Sequence, residues 1–507
     1  MKRRIKIPLC QLVLFLLIFI FFTRISPLVP FDADDWLFNG TMRGPYPLWG
    51  AFNPTRVLPE ILDPLGGSIA GFVVYPFTKD YVGAITIVQS FVASIFVVGM
   101  FYGFFLLLKR KFKYSENVAL VSEAIFFLSF FLIFKHIYMP SYTGFWTVDL
   151  TCVFFYLIPG LLNALLVFIM EQSNDFGAEF NNFSIKKKGL FLLFLYFALF
   201  SNSQFNIILA TTAFGLLIQS VWLNRGNLRN PNYFKKVWIY LLILVTWLLT
   251  VIFDLFGGRS QNLGAQQGSM YDNLRIALGQ FKGLLSITNK KFIVLIALVV
   301  LWAIFSSASK KANNKKANSY ISLFWINCLS LILSLIYLLI AYMKAIPRYA
   351  GRVDAMWPVM FFLLFIFGLS VAYLIGKHNI IKIISPLAVA IGCFIAFNFN
   401  CPPIPSISGL VPNMPAQTAK NIDNYIINQV VKADKAGRSK VVVKVPKGAT
   451  NDNNWPQAWY MASALSQSLY SHRLINNRIE VVFKPSSKVN RHFAPDVKNQ
   501  PFNPLEK

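Results

Sequence analysis

Acidic residues are scarce in this chain: 21 Asp and Glu stand against 48 Lys and Arg, and the two signs together make up only 14% of 507 residues. Soluble domains carry about 25% charged residues. With 56% apolar residues and a mean hydropathy of +0.54, the deficit excludes a water-soluble globular protein and places the chain in a bilayer. Cysteine is sparse too. Of the five, Cys10, Cys152, Cys328 and Cys393 fall within or beside apolar segments and only Cys401 looks exposed, which excludes a disulfide framework and a zinc site. The formal net charge of +27 would indicate nucleic acid in a soluble protein. Here the lysines and arginines lie between apolar runs, where they set membrane orientation, so no nucleic-acid partner is expected.

Crossing the hydrocarbon takes about 20 mostly apolar residues. About eleven segments qualify, beginning near residues 7, 82, 117, 148, 189, 207, 237, 292, 320, 358 and 383. The amino terminus has the basic flank of a secretory signal, but its apolar run is too long for one and no small-x-small site follows, so it reads as a retained first span. With that terminus in the cytoplasm, the basic connections at 109–113, 185–189, 224–236 and 310–316 all fall inside, as the orientation rule requires. Residues 29–80, 257–291, 344–357 and the tail then face outward. The fold class expected for residues 1–398 is an all-α polytopic membrane protein, multi-pass in the cell membrane.

After a Pro-rich passage beginning at Cys401 the composition changes. AQTAKNIDNYIINQVVKAD has helical periodicity, SKVVVKVPKG reads as a strand, NWPQAWYMASALSQSLYSH as a helix and RIEVVFKPSS as a second strand. Residues 399–507 are therefore expected to form a small α/β domain outside the cytoplasm.

The few acids are unevenly spread. Asp32, Asp34 and Asp35 follow the first apolar run directly, in FDADDWLFNG (31–40). A carboxylate in lipid costs on the order of 2.5–3.5 kcal/mol even by the gentler insertion scales, so these acids face water, a partner or a cavity. A solvated loop would account for a lone acidic pair, but this loop continues to residue 80 rich in aromatics, Gly and Pro. Such a segment suits the headgroup layer and can roof a cavity. Within it Arg56 and Glu60, four apart, would pair on one helical turn, as a structural contact or toward substrate. In 344–357 the cations Lys344, Arg348 and Arg352 are spaced by four. On a helix continuing the preceding span they would share one face at headgroup level, suited to a phosphate or to anchoring the span. Pro347 argues against that helix, and Asp354 stands ready to neutralise Arg352. In 257–291 a Gly- and Gln-rich half precedes an amphipathic helix, DNLRIALGQFKGLLSI. Its Arg259, Arg275 and Lys282 put positive charge on the outer side against the orientation rule, which a lipid phosphate would rationalise. Asp149, at the edge of a span, is either a site residue or a helix cap.

An Asp-Asp pair in the first outer loop, directly after the first of about eleven spans, resembles the membrane glycosyltransferases of the GT-C superfamily. DADDW followed by a Trp-containing loop with NPTRVLPE is most similar to bacterial members that add side-chain sugars to O-antigens or cell-wall polysaccharides. The resemblance implies a GT-C-like fold and an inverting transfer from a polyprenyl-phosphate sugar to a glycan acceptor at the outer face, among membrane lipids. It implies Asp34 as base, Asp35 as acceptor-positioning group or ligand to a divalent cation, and Asp32 as able to replace either. Some members of the family use Mg²⁺ or Mn²⁺ and others use none, and the diad leaves this open. The departing phosphate would be held by cations, for which Arg348 and Arg352 are the first candidates, with Lys344, Arg259, Arg56 and Glu60 as further substrate contacts. The alternatives are a polysaccharide polymerase or ligase, whose functional residues usually lie in a large late loop, and a transporter or flippase of lipid-linked sugars, which often shows repeated halves. No repeat is evident here.

Overall fold

The computed structural model describes residues 6–30, 33–134, 144–145, 150–226, 231–264, 268–308, 314–378, 384–392, 416–446 and 458–493. Asp32 and Asp149 lie outside them. The chain is predominantly helical, and among the described residues eight helices are long and apolar enough to cross a membrane: Ile7–Ile25, Pro59–Thr78, Tyr81–Arg110, Leu150–Glu171, Tyr233–Leu255, Lys290–Ala308, Lys315–Lys344 and Trp357–Lys377. The segments expected near 117, 189 and 207 form shorter helices, Glu116–Leu132, Ile185–Leu199 and Ile207–Leu223. The last expected span runs into residues outside the description.

These helices follow from the sequence in a simple way. Most carry apolar residues all round and are cut by charged or Asn-rich connections where the backbone can meet water. Their starts are capped locally. Asp80 accepts the Gly83 amide at 3.0 Å, and Asn314 accepts from the amides of Lys316 and Ala317, satisfying N–H groups that a first helical turn leaves free.

Pro59–Thr78, expected as loop from its Pro and Gly content, is helical. Pro59 sits at the first turn, where a missing N–H costs nothing. The glycines serve close approach rather than breakage: a Cβ at Gly66 would meet the Gln89 amide oxygen at 2.2 Å, and one at Gly67 the Asn39 side chain at 2.1 Å. The helix folds back on the start of Tyr81–Arg110, with the Tyr75 and Tyr81 rings 5.8 Å apart and Gln89 donating to the Asp63 carbonyl and carboxylate, both at 2.9 Å.

In the tail, Lys440–Pro446 and Glu480–Ser486 pair as parallel strands in the register Val443↔Phe483, joined across the helix Ala458–Ser471 as parallel strands require. Ile422, Ile426 and Val430 of Ala416–Lys435 are buried, as are Val443, Val445, Leu465 and Leu469. This unit docks on the short acidic helix Ala33–Gly40. The Ser468 hydroxyl donates to the Trp36 carbonyl, and Gly40 is required there because a Cβ would lie 2.7 Å from the Ser468 Cα. Beside it His472, buried, hydrogen-bonds Tyr81, and Lys420 pairs with Asp80 at 2.5 Å. The tail and the first loop thus lie at the same end of the helical body.

Candidate functional site

Asp34 and Asp35 are adjacent on the helix Ala33–Gly40 and have different surroundings. Asp35 is fully buried. Its Oδ1 accepts both the backbone N–H of Thr151 at 2.8 Å and the Thr151 hydroxyl at 2.7 Å. It therefore caps the start of the span Leu150–Glu171, where free amides and the helix dipole favour a negative charge. Asp423, from the tail, is buried close by with neither carboxylate oxygen hydrogen-bonded. Burial, and then the charge of Asp35, push its carboxyl well above the usual range. Among the described residues no group of three His, Cys, Asp or Glu side chains could hold a metal ion. Asp35, expected as a possible ligand, has its Oδ1 engaged by Thr151.

Asp34 is partly exposed and interacts electrostatically with Arg259. Arg259 lines a cavity of about 320 Å³ together with Phe52, Asn53 and Arg56 of the first loop, Ser203 and Gln204, Asp254 and Leu255, and Tyr337, Lys344 and Tyr349. Three cations named from sequence, Arg56, Arg259 and Lys344, are therefore gathered in one place from segments nearly 300 residues apart. None of them takes part in an ion pair among the described residues. Arg259 donates to the Tyr349 hydroxyl at 3.2 Å. Burial works against its charge, but Tyr156, Tyr349 and Asp34 outweigh it and hold its pKa above the ordinary value. The Arg56 guanidinium lies 5.1 Å from the Phe155 ring centroid and 6.0 Å from that of Tyr156, aromatic contacts that suit a cation without a carboxylate.

The remaining expected cations are placed differently. The helix Lys315–Lys344 ends at Lys344 and Pro347 opens a short 3-10 turn, Pro347–Gly351, so the spacing of four does not become one face. Arg348 is exposed. Arg352 grips Asp354 with Nε to Oδ1 at 3.0 Å and Nη2 to Oδ2 at 2.6 Å and stacks over Tyr349 and Tyr156. It serves to fix the loop. Glu60 pairs with Arg43 at 2.8 Å rather than with Arg56, because Arg43 reaches across the loop and also holds the Pro54 carbonyl at 3.1 Å.

Two contributors were not named from sequence. Arg43 locks the loop that presents Arg56. Asp254 accepts the Thr55 hydroxyl at 2.6 Å and the Ser203 hydroxyl. An acid at the end of the apolar run VTWLLTVIFD was the available signal. The turn around Ser203 matters as well: the Phe200 carbonyl accepts the Val57 and Leu58 amides at 2.9 and 3.1 Å, so the first loop is anchored where the cavity begins. Comparison of the chain with family models, with curated proteins and with solved structures gives no match.

Proposed function

We propose that this chain is an integral membrane glycosyltransferase of GT-C type that moves a sugar from a polyprenyl-phosphate carrier to a cell-surface glycan acceptor. The observation that carries the reading is the cavity in which Arg56, Arg259 and Lys344 converge, none of them in an ion pair among the described residues, with Asp34 acting electrostatically on Arg259. A pocket lined by three cations against the single carboxylate of Asp254, beside apolar helices, suits an anionic headgroup with a lipid tail. Asp34 takes the proton of an acceptor hydroxyl as its oxygen attacks the anomeric carbon. The bond from that carbon to the phosphate oxygen breaks, and polyprenyl phosphate leaves with the electron pair, its charge met by the cations. Attack opposite the leaving group inverts the anomeric centre.

The reading includes about eleven spans in the cell membrane, a cytoplasmic amino terminus, an outward-facing first loop and an outward-facing tail domain. The glycan acceptor approaches from the side of Asp34. The test is reconstitution in lipid with a polyprenyl-phosphate sugar and an acceptor glycan. Asp34→Asn is expected to lose transfer by about 10²–10⁴-fold while retaining donor binding. Undiminished transfer would remove Asp34 from the mechanism, and lipid movement across the bilayer without transfer would replace the reading with a flippase.

A further inference from the structure

The geometry points to Asp254 as the group that recognises a hydroxyl of the transferred sugar and discriminates against the unloaded carrier; this rests on the phosphate-binding reading of the same cavity. Asp254 stands at the end of the span Tyr233–Leu255, where a carboxylate is costly without compensation. The cations around it do not supply that compensation by contact, since none comes within ion-pair distance. Two hydroxyls do: Thr55 from the first loop donates to Oδ1 and Ser203 from the buried turn to Oδ2. A carboxylate offers about four lone-pair positions and no proton, so two acceptor sites remain, on a group whose orientation is set from two sides.

The sign of the charge decides what those sites are for. A phosphate entering a cavity of three cations gains nothing from a carboxylate on the same wall and is repelled by it. A sugar phosphate is different, because its phosphate meets the cations and its hydroxyls can donate to Asp254. One residue then attracts the loaded carrier and disfavours the bare one, the combination by which sites achieve specificity. For a transferase this favours substrate over the polyprenyl phosphate it releases.

The test uses the full chain in lipid nanodiscs, with undecaprenyl phosphate and a panel of undecaprenyl-phosphate hexoses, N-acetylhexosamines, deoxyhexoses and pentoses as probes. In the wild type at least one loaded carrier is expected to bind about tenfold to a hundredfold more tightly than the bare one, the range for a hydrogen bond to a charged group. Asp254→Asn is expected to reduce that ratio at least about tenfold by weakening the loaded carrier while leaving the bare one unchanged or tighter. Equal weakening of both would reduce Asp254 to a framework role and overturn the inference, as would a wild type without preference. Should Asp254→Asn fail to fold, deoxy analogues of the best-bound sugar on the wild type decide: one ring position must cost about tenfold, and uniform tolerance overturns the inference. Arg259→Ala separates the two levels. Bare-carrier binding that ignores Arg259 defeats the phosphate reading itself, whereas binding that needs Arg259 but ignores the sugar defeats only the role of Asp254.

Discussion

The first loop around residues 43–60 and the late loop around 344–354 are built alike, although they lie nearly 300 residues apart. Each has one arginine bound to a carboxylate, Arg43 to Glu60 and Arg352 to Asp354. Each leaves another cation facing the cavity, Arg56 in one and Lys344 in the other. The paired arginine holds the loop in shape, and the unpaired cation is what the loop presents. A cation's distance from an acid along the chain does not decide which job it has. Arg56 is four residues from Glu60 and does not pair with it, whereas Arg43 is seventeen away and does.

The strongest way to break this division is to remove a partner acid. Asp354 is 1% exposed at its side chain and Arg352 20%, so Asp354→Ala strands a guanidinium among Tyr156 and Tyr349. Burial opposes the charge of Arg352 and Asp354 more than offsets this, holding the guanidinium pKa above its ordinary value. The variant is expected to lose about 3–5 kcal/mol of stability, read as a fall in the thermal midpoint in detergent. A midpoint that does not move would show the pair to be ornamental.

His472 is the opposite case, a buried ionisable group with no ion pair among the described residues. Burial holds its pKa down at about 4, against 6.5 ordinarily, so the folded protein keeps it neutral on Tyr81. Its contribution is complete above about pH 6.5 and is lost as pH falls from there towards 4, because the unfolded or undocked tail takes up the proton first. The loss is on the order of 3 kcal/mol. Proteolysis of the 416–493 unit is expected to accelerate between pH 6.5 and 4.5, and His472→Gln to flatten that dependence.

Legibility in the sequence follows the range of the interactions. The long apolar helices could be read because a span must satisfy its backbone within itself, and the tail strands because alternation is local. Pro59–Thr78 could not, since Gly66 and Gly67 look like breakers until Asn39 and Gln89 are known to press on them. Arg56, Arg259 and Lys344 were legible as cations on connections between apolar runs, while their convergence depends on tertiary anchors such as Val57 on Phe200. The hydrogen bonds between Asp35 and Thr151 could not be read, because the two are more than 100 residues apart. A separation of 199 residues hid Asp254 from Thr55.

The unpaired cations give smaller and graded effects. Arg56→Ala is expected to weaken binding of a polyprenyl-phosphate sugar about tenfold to a hundredfold, with less than about 1 kcal/mol of stability lost through its ring contacts. Titration of the donor in nanodiscs beside a melting curve separates the two; a large melting shift would make Arg56 structural. Lys344 lines the same cavity from an exposed position, where water and salt screen a point charge. Lys344→Ala should therefore cost less than about tenfold, and the cost should shrink as salt is raised. Arg348, four residues on, has the same charge and neither the cavity nor a carboxylate partner among the described residues. If being turned to the cavity is what distinguishes a working cation from a bystander, Arg348→Ala leaves donor affinity unchanged and stability within about 0.5 kcal/mol. A loss matching that of Lys344→Ala would mean that the late loop presents its charge as a field rather than at a point, and the likeness between the two loops would hold for their arginine pairs alone.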